Sequence, residues 1–300
     1  MTFSFKPLKL AFRGSMRAVI LGSLLLTSAL FIMVPDQALA NLLITPTRVE
    51  FDNRDRGGRI SIVNVSDKQK TYRMFWREQV QTAAGQYINL KKNQRVRGLN
   101  KLSSFVRFSP GTVTLEPGER QHIRLAIRRP ANMKDGEYRS HLVFEAIPDQ
   151  KNPLKSEKRG AEMKLYLSLS FSIPIVLRQG DISFDAKVMK ADPVIKMVKD
   201  SEKMGFMVNI KRMTDYSSVG NIKLFWKPEG KTSEKQVGVL NNVAIYTENP
   251  ELKVTIGAPD IEKPENGQLR VKFEGVGVNE GMLYDDYIQQ IKASDFVRRE

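Results

Sequence analysis

Reactive side chains are scarce in this sequence. It has no cysteine and only two histidines, His122 and His141, each inside a run that alternates like a strand. No acidic cluster flanks either one, so neither a metal centre nor a Ser-His-Asp arrangement is expected, and both read as sheet-face residues. A Gly-x-Ser-x-Gly elbow is missing as well. The adjacent Asp285 and Asp286 read as solvated loop charges rather than a glycosidase pair. The chain is therefore expected to be no enzyme and to need neither cofactor nor metal. Its informative residues are apolar and evenly spaced, which is the chemistry of binding.

From Met163 to Leu177 every odd-numbered residue is apolar: Met163, Leu165, Leu167, Leu169, Phe171, Ile173, Ile175 and Leu177. Most even positions are polar or small. Period-two alternation marks a strand with one face against apolar matter. At roughly 3.3 Å per residue this run would span about 50 Å, against ~17–20 Å for an ordinary strand. One small sandwich cannot cover it, so part of the apolar row is expected to lie bare. Such an edge is an aggregation hazard unless a partner pairs with it.

The elements around this strand are all short β-runs and turns. Residues 1–40 read as a leader to be removed: Lys6, Lys9, Arg13 and Arg17 precede the apolar run Ala18–Val34, and Ala38-Leu39-Ala40 supplies a cleavage site. Without the leader the formal net charge falls from +15 to +12 and 260 residues remain, enough for two sandwiches. No later stretch is apolar and long enough to insert in a membrane. An exported chain without cysteine must rely on hydrophobic cores rather than disulfides. Lysines and arginines read as spread along the whole chain without an aromatic-interleaved cluster, so nucleic-acid binding is not expected. Clean alternation marks Arg59–Val65 and Gln121–Ile127, and the polar stretch Asp149–Glu162 reads as a flexible loop. Six further β-runs between Ile182 and Phe273 predict a second sandwich over 181–280. The last residues, 281–300, read as a tail, either disordered or containing a short helix over Tyr284–Phe296.

Ordered local matches then give a resemblance. Thr45-Pro46-Thr47-Arg48-Val49-Glu50-Phe51, Ile60-Ser61-Ile62-Val63-Asn64, Leu115-Glu116-Pro117-Gly118-Glu119 and Gly136-Glu137-Tyr138-Arg139-Ser140-His141-Leu142-Val143-Phe144 succeed one another as in the PapD-like periplasmic pilus-assembly chaperones. Residues 41–178 resemble that family's N-terminal domain, with a donor strand at 163–177. The resemblance implies an all-β protein of two immunoglobulin-like β-sandwich domains in an L-shaped arrangement, located in the periplasm of a Gram-negative cell. It implies pilin or fimbrial subunits and an outer-membrane usher as partners, with self-association of the free protein a further expectation. The strand would complete a subunit's unfinished sandwich by β-augmentation, its alternate side chains setting register. The subunit-binding residues are then Met163, Leu165, Leu167, Leu169 and Phe171. Burying each contributes about 1.5–3 kcal/mol.

The same resemblance makes Arg48 the anchor for the subunit's terminal carboxylate. Family members pair it with a lysine near the end of the long strand, where this chain has Pro174. Proline has neither charge nor N–H, and it belongs at a sheet edge or strand end. Arg107, Arg128, Arg129 and Arg178 are the candidate substitutes by location. The departure points to a divergent branch of the family, the one called archaic or alternative. The competing reading is a structural or adhesive sandwich component of a surface appendage. Against it, Asn41–Phe51 is too short and too interrupted by Pro46 to serve as a subunit's N-terminal extension.

Overall fold

The computed structural model describes residues 41–148, 154–156, 163–165, 169–198 and 201–299. The leader assigned to residues 1–40 lies outside them. Among the described residues the regular structure is strands, with two single-turn 3-10 helices. None of it is a helix long and apolar enough to cross a membrane.

The first half runs through β1 (Leu42–Thr45), β2 (Val49–Phe51), β3 (Gly57–Asn64), β4 (Lys70–Arg77), β5 (Gln79–Gln81), β6 (Tyr87–Asn89), β7 (Val106–Ser109), β8 (Thr112–Leu115), β9 (Arg120–Ile127), β10 (Gly136–Ala146), β11 (Leu154–Ser156), β12 (Met163–Leu165) and β13 (Ser170–Gln179). Two sheets form the sandwich, in strand orders β1-β3-β9-β7 and β2-β13-β10-β4-β8. Period-two alternation decides which side chains meet between them. Ile60, Ile62, Ile123 and Leu125 come from the first sheet, and Tyr72, Leu142, Phe144, Ile175 and Leu177 from the second.

The second half contains β14 (Ala186–Val198), β15 (Ser201–Arg212), β16 (Ser218–Pro228), β17 (Lys235–Ile245), β18 (Glu251–Gly257), β19 (Gly267–Gly275), β20 (Leu283–Ile291) and β21 (Val297–Arg299). Its sheets, β18-β15-β14-β21 and β17-β16-β19-β20, enclose a core that includes Phe206, Ile222, Trp226 and Phe273. The fold is thus all-β, with two sandwiches.

The crossover and one hairpin help to hold the sandwiches together. At the crossover Gly180 has φ +101°, and a Cβ there would meet Asp135 at 2.6 Å, so glycine is required. Asn53 grips its backbone from both sides, donating to the carbonyl at 2.8 Å and accepting from the N–H at 2.9 Å. The β5–β6 hairpin then reaches across. Gln81 donates to the Ala244 carbonyl at 2.8 Å, Asn249 donates to the Gln81 carbonyl at 2.7 Å, and Lys253 N–H donates to the Ala83 carbonyl at 2.9 Å.

Two sequence expectations change. Residues 281–300 are not a tail and hold no α-helix. Strand β20 pairs along β19 from Gly267↔Ile291 to Glu274↔Leu283, and β21 pairs in parallel with β14. The polar side chains that disguised this strand have work inside the sandwich. Asp285 accepts from the Val188 N–H at 2.8 Å and Gln289 from the Ala191 N–H at 3.2 Å, while Tyr284 and Ile291 are buried. The long alternating run is also not one described strand. Met163–Leu165 forms β12, paired with β11 from Leu154↔Leu165 to Ser156↔Met163, and β13 starts at Ser170. Leu167, with residues 166 and 168, lies outside the described residues.

Candidate functional site

The site lies on the side of the β2-β13-β10-β4-β8 sheet that faces the second sandwich. On β10, Tyr138, Leu142 and Phe144 pack with the first core. Glu137, Arg139 and His141, at the intervening positions of the strand, are also buried. Cross-strand pairing sets Glu137 opposite Arg178 and Arg139 opposite Val176 on β13, with Val176 opposite Glu50 on β2. Ionised groups buried this deeply must be paired.

The pairing is nearly complete. Arg178 bonds Glu137 at 3.0 Å, Glu50 at 2.9 Å and the Ser217 hydroxyl of the second sandwich at 3.2 Å. Glu137 also accepts from the Ser217 hydroxyl at 2.6 Å and backbone N–H at 3.1 Å. Arg139 forks onto Glu248 at 2.6 and 3.1 Å and lies over the Tyr246 ring, 3.6 Å from its centroid. That is a bidentate, charge-assisted pair with a cation–π contact on a desolvated guanidinium. Arg48 bonds Glu50 at 2.8 Å and donates to the Tyr246 hydroxyl at 2.6 Å. Three arginines and three glutamates from both sandwiches therefore share one neutral network.

The network shifts its members' protonation. Burial alone would raise the Glu50 carboxyl, but Arg48 and Arg178 outweigh it and hold the group below its ordinary range. Burial would likewise lower Arg48, and Tyr246 with Glu50 reverse that, leaving it raised. His141 is pushed down to about 3, first by burial and then by Arg139 and Arg48. It is neutral at physiological pH, and its Nδ1 has no hydrogen-bond partner among the described residues. Its ring makes an edge contact with Tyr87, centroids 5.2 Å apart.

A cleft of about 620 Å³ opens beside this network, lined by Arg48, Pro174, Tyr87, Tyr246, Val219 and Val276 among others. Arg48 is the cation on its wall, and its Nη2 has no partner among the described residues. The other substitutes separate by position. Arg178 joins Arg48 through the shared Glu50. Arg129 instead donates to the carbonyls of Asp52 and Asp55, and Arg107 and Arg128 are exposed outside the network.

The same place is where a sheet edge runs out of partner. Strand β10 pairs with β13 from Phe144↔Phe171 to Gly136↔Gln179. On the other side β2 pairs only with Ile175, Val176 and Leu177, in parallel. Among the described residues no strand pairs with 170–174 on that side. Pro174 sits on this open stretch, where a missing N–H removes no ladder bond from β2. The alternating row divides here. Ile173, Ile175 and Leu177 are core, Phe171 is half-buried, and Leu169 is 39% exposed. The side chains of Met163 and Leu165 are outside what the structure describes.

Sequence reading missed the charged half of the site: Glu137, Arg139, Glu248, Tyr246 and Gln81. One signal was present. In Gly136–Phe144 the residues between the core positions are Glu137, Arg139 and His141, too charged for a central strand unless an opposite set meets them. Nothing local names that set, since Glu248 lies 109 residues away.

Residues 41–178 match the family described as "Pili and flagellar-assembly chaperone, PapD N-terminal domain". No curated protein matches the chain in sequence. Among similar solved structures, the Pseudomonas aeruginosa CupB2 chaperone shares 10% identity, with 83% of this chain and 100% of that one covered and a TM-score of 0.44. The Salmonella enterica SafA pilin–SafB chaperone complex matches at 10% identity over 83% and 96%, TM-score 0.43. The CsuC–CsuE chaperone–tip adhesion subunit pre-assembly complex from archaic chaperone-usher Csu pili of Acinetobacter baumannii matches at 10% over 87% and 100%, TM-score 0.41. Residues 41–178 are therefore an N-terminal domain of the PapD-like family of pilus-assembly chaperones.

Proposed function

We propose that this protein binds a pilin-like subunit by lending it the open edge of β13, and presents it to an outer-membrane usher. The observation that carries the reading is the junction at Arg48. A guest strand hydrogen-bonded to residues 169–174 of the free edge, and running parallel to β13, would continue the track that β2 occupies over 175–177. Its C-terminus would then arrive at Arg48, immediately before β2, beside the cleft that this arginine lines, where its buried Nη2 has no partner among the described residues. Main-chain bonds along the edge supply affinity, and the alternation of Met163, Leu165, Leu167, Leu169 and Phe171 supplies register. Arg48 takes the terminal carboxylate. Arg178 acts behind it by sharing Glu50, which takes the place of a two-cation clamp. The activity is binding rather than bond-making, and it belongs in the periplasm once residues 1–40 are removed.

The test is co-expression of the mature chain with the pilin-like subunits of its own organism, with and without Leu167→Glu plus Leu169→Glu. A one-to-one complex that these charges abolish supports the donor edge. Equal capture by the variant, or no capture by the parent, overturns it.

A further inference from the structure

The net positive charge is not evenly spread. Residues 41–178 carry 26 lysines and arginines against 13 acids, whereas residues 179–300 carry 18 against 19. Within the first sandwich, the strands of the sheet turned away from the cleft carry four arginines and no acid. Arg59 on β3, Arg120 and Arg124 on β9, and Arg107 on β7 are all exposed. They alternate with the buried core positions of their strands and so share the outer face. Arg59 is directly opposite Arg124, and Arg107 is one diagonal step away, since Ser109 pairs with Arg124. Like charges opposite one another on a sheet are destabilising. No described carboxylate relieves these four. The acids nearest Arg120 and Arg124 along the chain are engaged in the turn before β9, where Glu119 accepts from the Glu116 N–H and Glu116 accepts from Gln69, and Asp55, the nearest to Arg59, accepts from the Asp52 N–H.

We propose that this face docks on the phosphate headgroups of an anionic phospholipid surface. Three features select that occupant. The cations are arginines, whose planar forks match phosphate oxygens. The face is the outer side of a four-stranded sheet, with small residues such as Ser61 and Ala126 between the arginines, so no bulky side chain there holds the guanidinium groups away from a planar surface. It also lacks the aromatic anchors that dominate protein interfaces and that stack nucleic-acid bases. Leu43, more than half exposed on β1, adds an apolar contact at its margin. The face lies on the sheet opposite the cleft, so the proposal stands independently of subunit binding.

The test is co-sedimentation of the mature protein with phosphatidylcholine vesicles with and without phosphatidylglycerol, at low and high salt. We expect binding only with phosphatidylglycerol, lost at high salt, and weakened about thirtyfold by Arg59→Gln plus Arg124→Gln, given the usual contribution of each basic residue near an anionic membrane. Arg59→Lys plus Arg124→Lys keeps the charge but not the fork and should bind between the parent and the Gln variant, and an unchanged melting temperature of both variants controls for folding. Removing charge from the second sandwich, by Arg270→Gln plus Lys231→Gln, should change nothing. Equal binding to pure phosphatidylcholine, equal loss in the second-sandwich variant, or an unaffected Gln variant would overturn the proposal. Displacement from vesicles by polyglutamate but not by inorganic phosphate would also overturn it, in favour of an acidic protein partner.

Discussion

The first sandwich has two outer faces, both rich in arginine, and they solve opposite problems. Toward the second sandwich, Arg48, Arg139 and Arg178 are met by Glu50, Glu137 and Glu248, with Tyr246 and Ser217 taking further bonds. On the other sheet, Arg59, Arg107, Arg120 and Arg124 have no acid against them among the described residues. The difference is water. An exposed guanidinium keeps its hydration and tolerates a like neighbour at small cost, whereas a buried one must find a carboxylate in place of the solvent it loses. Arginine content therefore says little about role until burial is known.

Breaking the buried side should have the largest effect. Arg139→Met leaves Glu248 buried without its cation, holding only the Gln81 N–H, and is expected to destabilise the protein by about 3–5 kcal/mol in urea unfolding. Arg139→Met with Glu248→Leu should recover much of that loss, because it removes the charge and its partner together. A double variant no more stable than the single would show that the pair contributes more than mutual neutralisation.

Acid should separate the faces next. The His141 pKa of about 3 in the folded protein lies below the ordinary 6.5, so between these values the unfolded chain binds the extra proton. Stability should be full above about pH 6.5 and fall as pH drops toward 3, by up to about tenfold in the folding equilibrium per pH unit. Glu50, also depressed, adds to the loss at the acid end. Denaturation midpoints across this range should flatten in His141→Leu; an unchanged slope would place the sensitivity elsewhere in the network.

Arg48 lies between the extremes, its side chain 18% exposed. Arg48→Ala should cost only about 1–2 kcal/mol of stability, since Glu50 keeps Arg178, while subunit capture falls at least tenfold. Capture at full strength would remove the carboxylate anchor from the proposed function. The smallest effect belongs to the exposed face. Arg59→Glu turns a like pair with Arg124 into an opposite one and should stabilise by about 0.2–1 kcal/mol at low salt, with the gain vanishing at high salt.

What could be read without coordinates followed the strength of local patterning. Ile60-Ile62 and Ile123-Leu125 alternate cleanly, and they are core in the structure. The coverage of the family resemblance, residues 41–178, is the span that the family match covers. Strand β20 was hidden because Asp285 and Gln289 turn inward to bond the opposite sheet's backbone, which breaks the apolar rhythm that strand recognition depends on. The Arg139–Glu248 pair was invisible for another reason: its partners lie on different sandwiches, and only the packing of one on the other brings them together. The basic character of the first half was legible by counting. That four of its arginines meet on one sheet face required the register of β3 and β7 against β9.

The β5–β6 hairpin has a consequence for how the molecule comes apart. Its bonds through Gln81 and Ala83 to Ala244, Asn249 and Lys253 lie alongside the ion-pair network, so separating the sandwiches exposes both at once. Neither half then has a cheap route to melting alone. Calorimetry of the intact protein should give a single heat-absorption peak, with equal van't Hoff and calorimetric enthalpies, whereas Gln81→Ala should begin to split it in two.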